Sequence, residues 1–214
     1  MTAFGTADEW ADLIDSFLPK IMDLVVTTWA TMPALTSDAR EDPTTESFCR
    51  RLRQSRTAQE LPLRIDTQMV ELNSGSEEDQ GRMDIAFSPM VPSEEIYFCL
   101  ECKRLNAETA RGIRSYASEY ISHGMLRFIR GQYAGKVRSG AMVGYVLDGN
   151  LNGAIETVTA AIIRRHADLG MAAPATILAS AIMPNNLTFK ETHHIRPANS
   201  SRFVIHHLFV TGAP

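Results

Sequence analysis

Two acidic residues and a lysine stand at the ends of apolar segments of this chain, where a buried strand would normally carry no charge. Asp84 lies in a segment rich in β-forming residues, and Glu101 and Lys103 follow the apolar run 96–100. Carboxylate and ammonium groups are seldom buried without a partner or a metal ion. Residues two apart on a strand share a face, so Glu101 and Lys103 point one way and Cys102 the other. The sequence therefore predicts two acids and one amine converging at one edge of a sheet.

The chemistry open to such a trio is metal-assisted hydrolysis of a phosphodiester bond. Mg²⁺ and Mn²⁺ bind a few carboxylates together with water and phosphate oxygens. A neighbouring lysine can orient or deprotonate the attacking water, or neutralise charge in the transition state. The alternative is an ordinary surface ion pair between Glu101 and Lys103, with Asp84 unrelated to it. The unbroken apolar run before Glu101 and the polar residues Arg104 and Asn106 after it favour the site.

Asp84, a gap of hairpin length and then Glu101-Cys102-Lys103 resemble the D…(D/E)xK signature of the PD-(D/E)XK phosphodiesterase superfamily. The resemblance covers residues 44–149 and implies the restriction-endonuclease-like fold. It also implies that Asp84 and Glu101 bind Mg²⁺ or Mn²⁺ together with the backbone carbonyl of Cys102. Lys103 would then position or activate the attacking water.

One departure from the family pattern and one weaker match concern the residues around this signature. Met83 precedes Asp84, where the superfamily name has a proline that many members lack. Members of the Holliday-junction-resolvase type carry a further glutamate on the helix before the sheet, and Glu46 is the candidate here. Alternatively, Thr44 or Thr45 caps that helix and Glu46 only lies in its first turn, where the helix dipole favours an acid. Both interpretations of Glu46 stay open.

Basic residues are concentrated after the acid-x-lysine triplet, although the chain as a whole is acidic. The formal net charge of −4 argues against a protein that coats nucleic acid through bulk charge. Between residues 103 and 138, however, eight basic residues stand against two acidic ones. A basic face beside a carboxylate cluster suits the path of a phosphate backbone, although a solvated helix face also carries arginines. We expect five residues to contact nucleic acid: Arg104, Arg111, Arg114, Lys136 and Arg138.

The order of predicted elements supports an α/β fold in a single domain. We predict helices over 7–30, 44–57, 108–130 and 151–168 and strands over 63–72, 82–88, 95–103, 141–147, 175–182 and 202–210. Within residues 44–149 the order is αβββαβ, that of the restriction-endonuclease-like core, with a mixed central sheet flanked by helices on both faces. Residues 1–40 would add an N-terminal helix, and residues 150–214 a further helix and strands.

The helix predicted over 108–130 determines which arginines can act together. Arg111 and Arg114 are three residues apart and would share a helix face. Arg127 and Arg130 would share another face, close to the end of the helix. We therefore expect Arg111 and Arg114 to contribute more to nucleic-acid binding than Arg127 and Arg130.

Cysteine and histidine residues are the remaining candidates for metal ligands. The odd number of cysteines and the absence of a secretory signal indicate a reducing, cytoplasmic setting. Cys99 and Cys102 would face opposite sides of a strand and could not bind one ion together. The C-terminal region holds two histidine pairs, 193–194 and 206–207, of which one member each could meet at a zinc ion if an acid completed the site. We favour histidines with a structural role, bonded across adjacent strands.

The expected function is hydrolysis of nucleic-acid phosphodiester bonds by a Mg²⁺- or Mn²⁺-dependent nuclease. The resemblance favours DNA over RNA as the substrate and a restriction or phage-defence setting. No apolar run reaches the length of a membrane span, so no membrane partner is expected. A catalytically inert module of the same fold, binding nucleic acid or a partner protein, is the alternative. Assembly as a homodimer or in a larger defence complex stays open.

Overall fold

A computed structural model describes residues 6–70, 82–90, 96–132 and 134–212 of the chain. The helices are α1 (Ala7–Trp29), α2 (Glu41–Gln54), α3 (Arg56–Glu60), α4 (Ala117–Tyr120), α5 (Leu126–Ile129) and α6 (Leu151–Arg164), with a π-helical turn (Ile121–Met125) joining α4 to α5. The strands are β1 (Leu63–Val70), β2 (Arg82–Pro89), β3 (Phe98–Leu105), β4 (Ala107–Thr109), β5 (Gly112–Arg114), β6 (Ser139–Val146), β7 (Leu178–Ala179), β8 (Phe189–Ile195) and β9 (Arg202–Val210).

The predicted α/β class with a mixed central sheet is confirmed. Seven strands form one sheet in the order β1-β2-β3-β6-β9-β8-β7. Strand β6 runs parallel to β3 and to β9, while the other neighbours in the sheet are antiparallel. The strands β1, β2 and β3 follow α2, and β6 comes after the next helix, as the predicted element order required.

Helices pack on both faces of this sheet. On one face, the Tyr145 ring of β6 stacks on Trp29 of α1 with 4.9 Å between centroids, and its hydroxyl lies 3.0 Å from Thr45 of α2. On the other face, Gly124 of the π-helical turn lies against Met142 of β6 so closely that a Cβ would collide with the Met142 side chain. Met142 and Tyr145 are three residues apart on a strand and so point to opposite faces.

The prediction of one helix over 108–130 is wrong. Residues 107–114 form the hairpin β4–β5, and the helix begins only at Ala117. Two features make a hairpin turn here. The Thr109 hydroxyl donates to Gly112 O at 2.6 Å, and Gly112 has a φ of +98°, which a residue without a Cβ adopts easily. Arg111 and Arg114 therefore do not share a helix face.

Other elements also differ from the prediction. Helix α2 begins at Glu41 rather than residue 44, so that Pro43 lies in its first turn. A proline is tolerated there because its missing N–H breaks no helical hydrogen bond. Strand β7 covers two residues of the strand predicted over 175–182, and β8 was not predicted.

No helix in the described part of the chain is both long and apolar enough to cross a membrane.

Candidate active site

Asp84, Glu101 and Lys103 line one pocket of about 570 Å³ at the ends of β2 and β3. The two strands are antiparallel, with Ile85 paired to Leu100, so the next residues along each strand bring Asp84 and Glu101 together. Asp84 turns back onto β3, where its Oδ2 accepts a hydrogen bond from the Cys102 backbone N–H at 2.7 Å. The three residues singled out in the sequence thus converge.

The Lys103 ammonium group lies at the centre of this cluster. Its Nζ is 2.9 Å from Glu41 Oε1, 2.9 Å from Glu101 Oε1 and 3.9 Å from Asp84 Oδ2. It also donates a hydrogen bond to the backbone carbonyl of Cys102 at 2.8 Å. Four oxygen atoms from three elements therefore surround one cation.

The charged side chains of this cluster are largely buried, and each affects the pKa of its neighbours. The Glu101 side chain is 1% exposed and the Lys103 side chain 11% exposed, and Arg127 Nη1 lies 3.3 Å from Glu101 Oε1. Burial, with the nearby charge of Glu101, raises the pKa of Asp84 to about 7. Burial by itself would lower the pKa of Lys103, but the carboxylates of Glu101, Asp84 and Glu41 outweigh it and raise that pKa above its ordinary value. The ammonium group is therefore held in its charged form.

Glu41, not Glu46, is the helical glutamate at the site. Glu41 is the first residue of α2, and besides its contact with Lys103 it accepts a hydrogen bond from the Arg104 backbone N–H at 3.1 Å. Glu46 lies more than a turn further along the same helix, is exposed and lines a separate pocket with Cys49 and Thr67. The sequence signal that could have found Glu41 is Pro43, because a proline in the first turn moves the start of the helix before residue 44.

The opposite wall of the pocket comes from the helix after the hairpin. Glu119, His123 and Arg127, spaced by four residues, all line the pocket. His123 belongs to the π-helical turn, a geometry that is frequent at functional sites. The close approach of Gly124 to the sheet brings this wall against Glu101, whose Cγ would lie 3.6 Å from a Cβ on that glycine.

Of the five residues predicted to contact nucleic acid, three belong to β3 or to the hairpin after it, and two lie in the segment before β6. Arg104 lines the pocket. Arg111 and Arg114 are exposed on the hairpin, and Lys136 is exposed in the turn before β6. Arg138 lies against α1, where its Nη1 contacts Asp12 at 2.5 Å and Asp15 at 3.0 Å. Arg127, which we expected to contribute less than Arg111 and Arg114, lines the pocket.

The oxygens around Lys103 have the chemistry that Mg²⁺ and Mn²⁺ require. Carboxylates and a backbone carbonyl are hard ligands, and here they already enclose a positive charge. In their present positions, however, no three His, Cys, Asp or Glu side chains of the described residues are set around a common metal position. The donor types fit such an ion, and Lys103 contacts the same oxygens in this structure. Cys102 contributes only its carbonyl, because its thiol is buried and its pKa is raised by that burial.

Two of the four C-terminal histidines, His194 and His207, form a buried hydrogen-bonded chain across β8 and β9. Thr192 Oγ1 lies 2.7 Å from His194 Nε2 and 2.8 Å from His207 Nε2, while His207 Nδ1 lies 2.9 Å from the Tyr120 hydroxyl. His194 Nδ1 donates to Leu169 O at 2.8 Å. One direction of donation satisfies every ring nitrogen in the neutral form, and burial lowers the pKa of His194 to about 4. His194 and His207 are thus bonded to neighbouring elements as predicted, and His207 contacts Tyr120, which precedes the π-helical turn. His193 is largely exposed and bonds to Glu191, and His206 Nδ1 has no hydrogen-bond partner among the described residues.

The pKa of Asp84 leads to a prediction on stability in metal-free buffer. The folded protein keeps the Asp84 proton up to about pH 7, whereas the unfolded chain loses it near the ordinary pKa of 3.8. The folded state thus binds more protons in this interval, so the contribution of Asp84 to stability falls as pH rises from 3.8 to about 7 and is constant above that. We expect Asp84→Asn to remove this slope in urea unfolding.

The measurement is the difference in unfolding free energy between wild type and Asp84→Asn at each pH. Subtraction cancels the buried histidines, whose lowered pKa values change stability in the opposite direction over the same interval. Equal pH profiles in the two proteins would show that Asp84 is not the titrating group.

Comparisons of this chain with protein-family models, with curated proteins and with solved structures found no match in any of the three. The resemblance to the PD-(D/E)XK superfamily therefore rests on these residues and their arrangement alone.

Proposed function

We propose that this protein is a Mg²⁺- or Mn²⁺-dependent nuclease of the PD-(D/E)XK type. The observation that carries the proposal is the convergence of Asp84, Glu101 and Lys103, joined by Glu41, on one pocket. An ordinary surface ion pair would leave Glu101 exposed, yet it is almost fully buried beside two other carboxylates. Burying so much negative charge is costly unless a cation compensates it.

Each residue of the cluster has a role that its contacts support. Asp84, Glu101 and the carbonyl of Cys102 would hold the metal ion, which when bound supplies a Lewis acid for the phosphate and a more acidic water. Lys103 contacts the same oxygens and so remains beside them to orient the water or to neutralise phosphate charge. Glu41 holds the ammonium group of Lys103 in place through its 2.9 Å contact.

The fold agrees with this assignment. Helix α2, strands β1, β2 and β3, the helix after the hairpin and β6 occur in the order expected for the restriction-endonuclease-like core, with α3 and the hairpin β4–β5 as additional elements, and this order supports the proposal. The cluster lies at the ends of the two strands that carry the D…ExK residues in that family. Fold and site chemistry alone do not choose between DNA and RNA as the substrate. The preference for DNA, and for restriction or phage defence as the setting, rests on the resemblance to the family.

Cleavage assays with added metal test the proposal. Wild-type protein should cleave at least one of linear, nicked, branched or single-stranded DNA in Mg²⁺ or Mn²⁺ and should stop when EDTA is added. Glu101→Gln, which keeps the shape of the side chain but removes its charge, should lose this activity. A wild-type protein that binds DNA and cleaves no substrate with any metal would favour the alternative of an inert binding module.

A further inference from the structure

The wall of the pocket that carries His123 is held in place on both sides of that residue. Three residues before it, the fully buried Tyr120 places its hydroxyl 2.9 Å from His207 Nδ1. Directly after it, Gly124 packs against Met142 of β6 so closely that a Cβ would collide with the Met142 side chain. The backbone at His123 is therefore fixed relative to the sheet.

The pocket residues four positions before and after His123 both have partners within the protein. Glu119 forms an ion pair with Arg114, and Arg127 Nη1 lies 3.3 Å from Glu101 Oε1. All three residues of this wall line the pocket. The charges on either side of His123 are therefore already compensated.

The His123 side chain is exposed, and it forms no hydrogen bond or ion pair with any residue that the structure describes. His194 and His207 differ from it, because each is buried and bonds to protein groups through both ring nitrogens. An imidazole that borders a pocket and has both nitrogens open can bond to a ligand in that pocket.

The other side chains of the pocket are poor proton donors in the proposed reaction. The carboxylates around Lys103 raise its pKa, so its ammonium group holds its proton tightly. The Tyr116 hydroxyl accepts a hydrogen bond from Arg104 at 3.0 Å. Carboxyl groups that pair with cations, bind a metal ion or are exposed to water are ionised near neutral pH. Guanidinium groups do not release a proton, which excludes the arginines of the pocket, Arg40, Arg104 and Arg127.

We propose that His123 is a catalytic residue of this site and donates a proton to the leaving oxygen of the phosphodiester. The inference rests on the proposed nuclease function and adds a residue to it. The oxygen of the attacking water forms a bond to phosphorus, and the bond between phosphorus and the leaving oxygen breaks. The leaving oxygen keeps the electron pair of that bond and takes a proton from the His123 imidazolium. The attacking water loses its proton to bulk solvent, which protonates the imidazole again.

The position of His123 suits this role. Lys103, which would orient the attacking water, belongs to β3 and lies against Glu41 of α2. In an in-line displacement the leaving oxygen departs on the side of phosphorus away from the attacking water. His123 stands on the opposite wall of the pocket. Histidine is also the residue that most often transfers protons in enzymes.

The experiment compares two DNA substrates in single turnovers at saturating Mn²⁺. The ends of the wild-type products identify which of the two bridging oxygens leaves, and the second substrate carries sulfur in place of that oxygen. A thiolate is a much weaker base than an alkoxide and leaves without a proton. His123→Gln should cleave the oxygen substrate about 100-fold more slowly than wild type, at the lower end of the range for a general acid. It should cleave the sulfur substrate at the wild-type rate.

Two controls accompany this comparison. His193→Gln removes a largely exposed histidine of β8 outside the pocket and should cleave both substrates as wild type does. Thermal unfolding of His123→Gln should match that of wild type, because the side chain is exposed and has no partner among the described residues.

The outcomes separate this inference from the proposed function. Equal losses of His123→Gln on the two substrates would show that His123 binds or positions DNA, and would overturn its role as proton donor. An unchanged rate of His123→Gln on the oxygen substrate would overturn that role too. If Glu101→Gln were inactive in the same assay, the nuclease function would stand without His123. A wild-type protein that cleaves neither substrate with any metal would overturn both.

Discussion

Lys103→Met should lose about a thousandfold in the proposed nuclease activity, within the range for removing a group that acts on protons or charge in the transition state. Methionine keeps the length of the side chain but removes the ammonium group that lies 2.9 Å from Glu101 and 2.8 Å from the Cys102 carbonyl. The measurement is single-turnover cleavage at saturating metal. A Lys103→Met protein with wild-type activity would contradict the role of Lys103.

The same substitution should lower the free energy of unfolding by about 3 kcal/mol, because it leaves a buried carboxylate without one of its cations. Glu101 is 1% exposed and retains Arg127 at 3.3 Å. The loss of unfolding free energy should therefore lie at the lower end of the range for breaking a buried ion pair. The double variant Lys103→Met with Glu101→Gln should regain most of the stability and none of the activity. This result would separate charge pairing in the folded protein from the chemical step.

Glu41→Gln should reduce cleavage by about 10- to 100-fold, whereas Glu46→Gln should leave it unchanged. Glu41 contacts Lys103 and the Arg104 backbone N–H, and so it holds the ammonium group and the end of β3 in place. Glu46 is on the same helix and exposed outside the pocket, which makes it a matched control for the loss of one negative charge.

Metal titrations of both variants, followed by thermal unfolding, complete this test. An ion that binds only the folded state stabilises it according to its affinity. Stabilisation by Mn²⁺ should therefore be smaller than in wild type in Glu41→Gln, which lacks one negative charge of the candidate site, and equal to wild type in Glu46→Gln, whose lost charge lies outside that site. Loss of activity in Glu46→Gln but not in Glu41→Gln would reverse the assignment made from the structure.

The convergence of Asp84, Glu101 and Lys103 was predictable from local patterns. Apolar segments set β2 and β3, and the two-residue period of a strand places Glu101 and Lys103 on one face. A short connection between consecutive strands favours antiparallel pairing, which brings Asp84 to the same edge. None of these steps needs information from distant parts of the chain.

The hairpin β4–β5 and strand β8 were not predictable in this way. Residues 108–114 contain good helix formers, and besides the local turn at Thr109 and Gly112 the hairpin has distant contacts, of Glu108 with Ser37 and of the preceding Asn106 with Asp148. Strand β8 buries Glu191, Thr192 and His194, polar residues that break an apolar pattern. Their burial is stable only because residues of β9 and other elements complete their hydrogen bonds.

The sequence by itself determined the α/β class, the strands that carry the acid and acid-x-lysine residues, and their meeting at one edge of the sheet. Only the tertiary structure decided that Glu41 rather than Glu46 joins them, that Arg127 faces the pocket and that Arg138 pairs with α1. The physical reason is the distance along the chain over which each effect acts. Periodicity and turn chemistry act between residues close in the chain, whereas the placement of a helix against a sheet and the partner of a long charged side chain depend on which distant elements pack together.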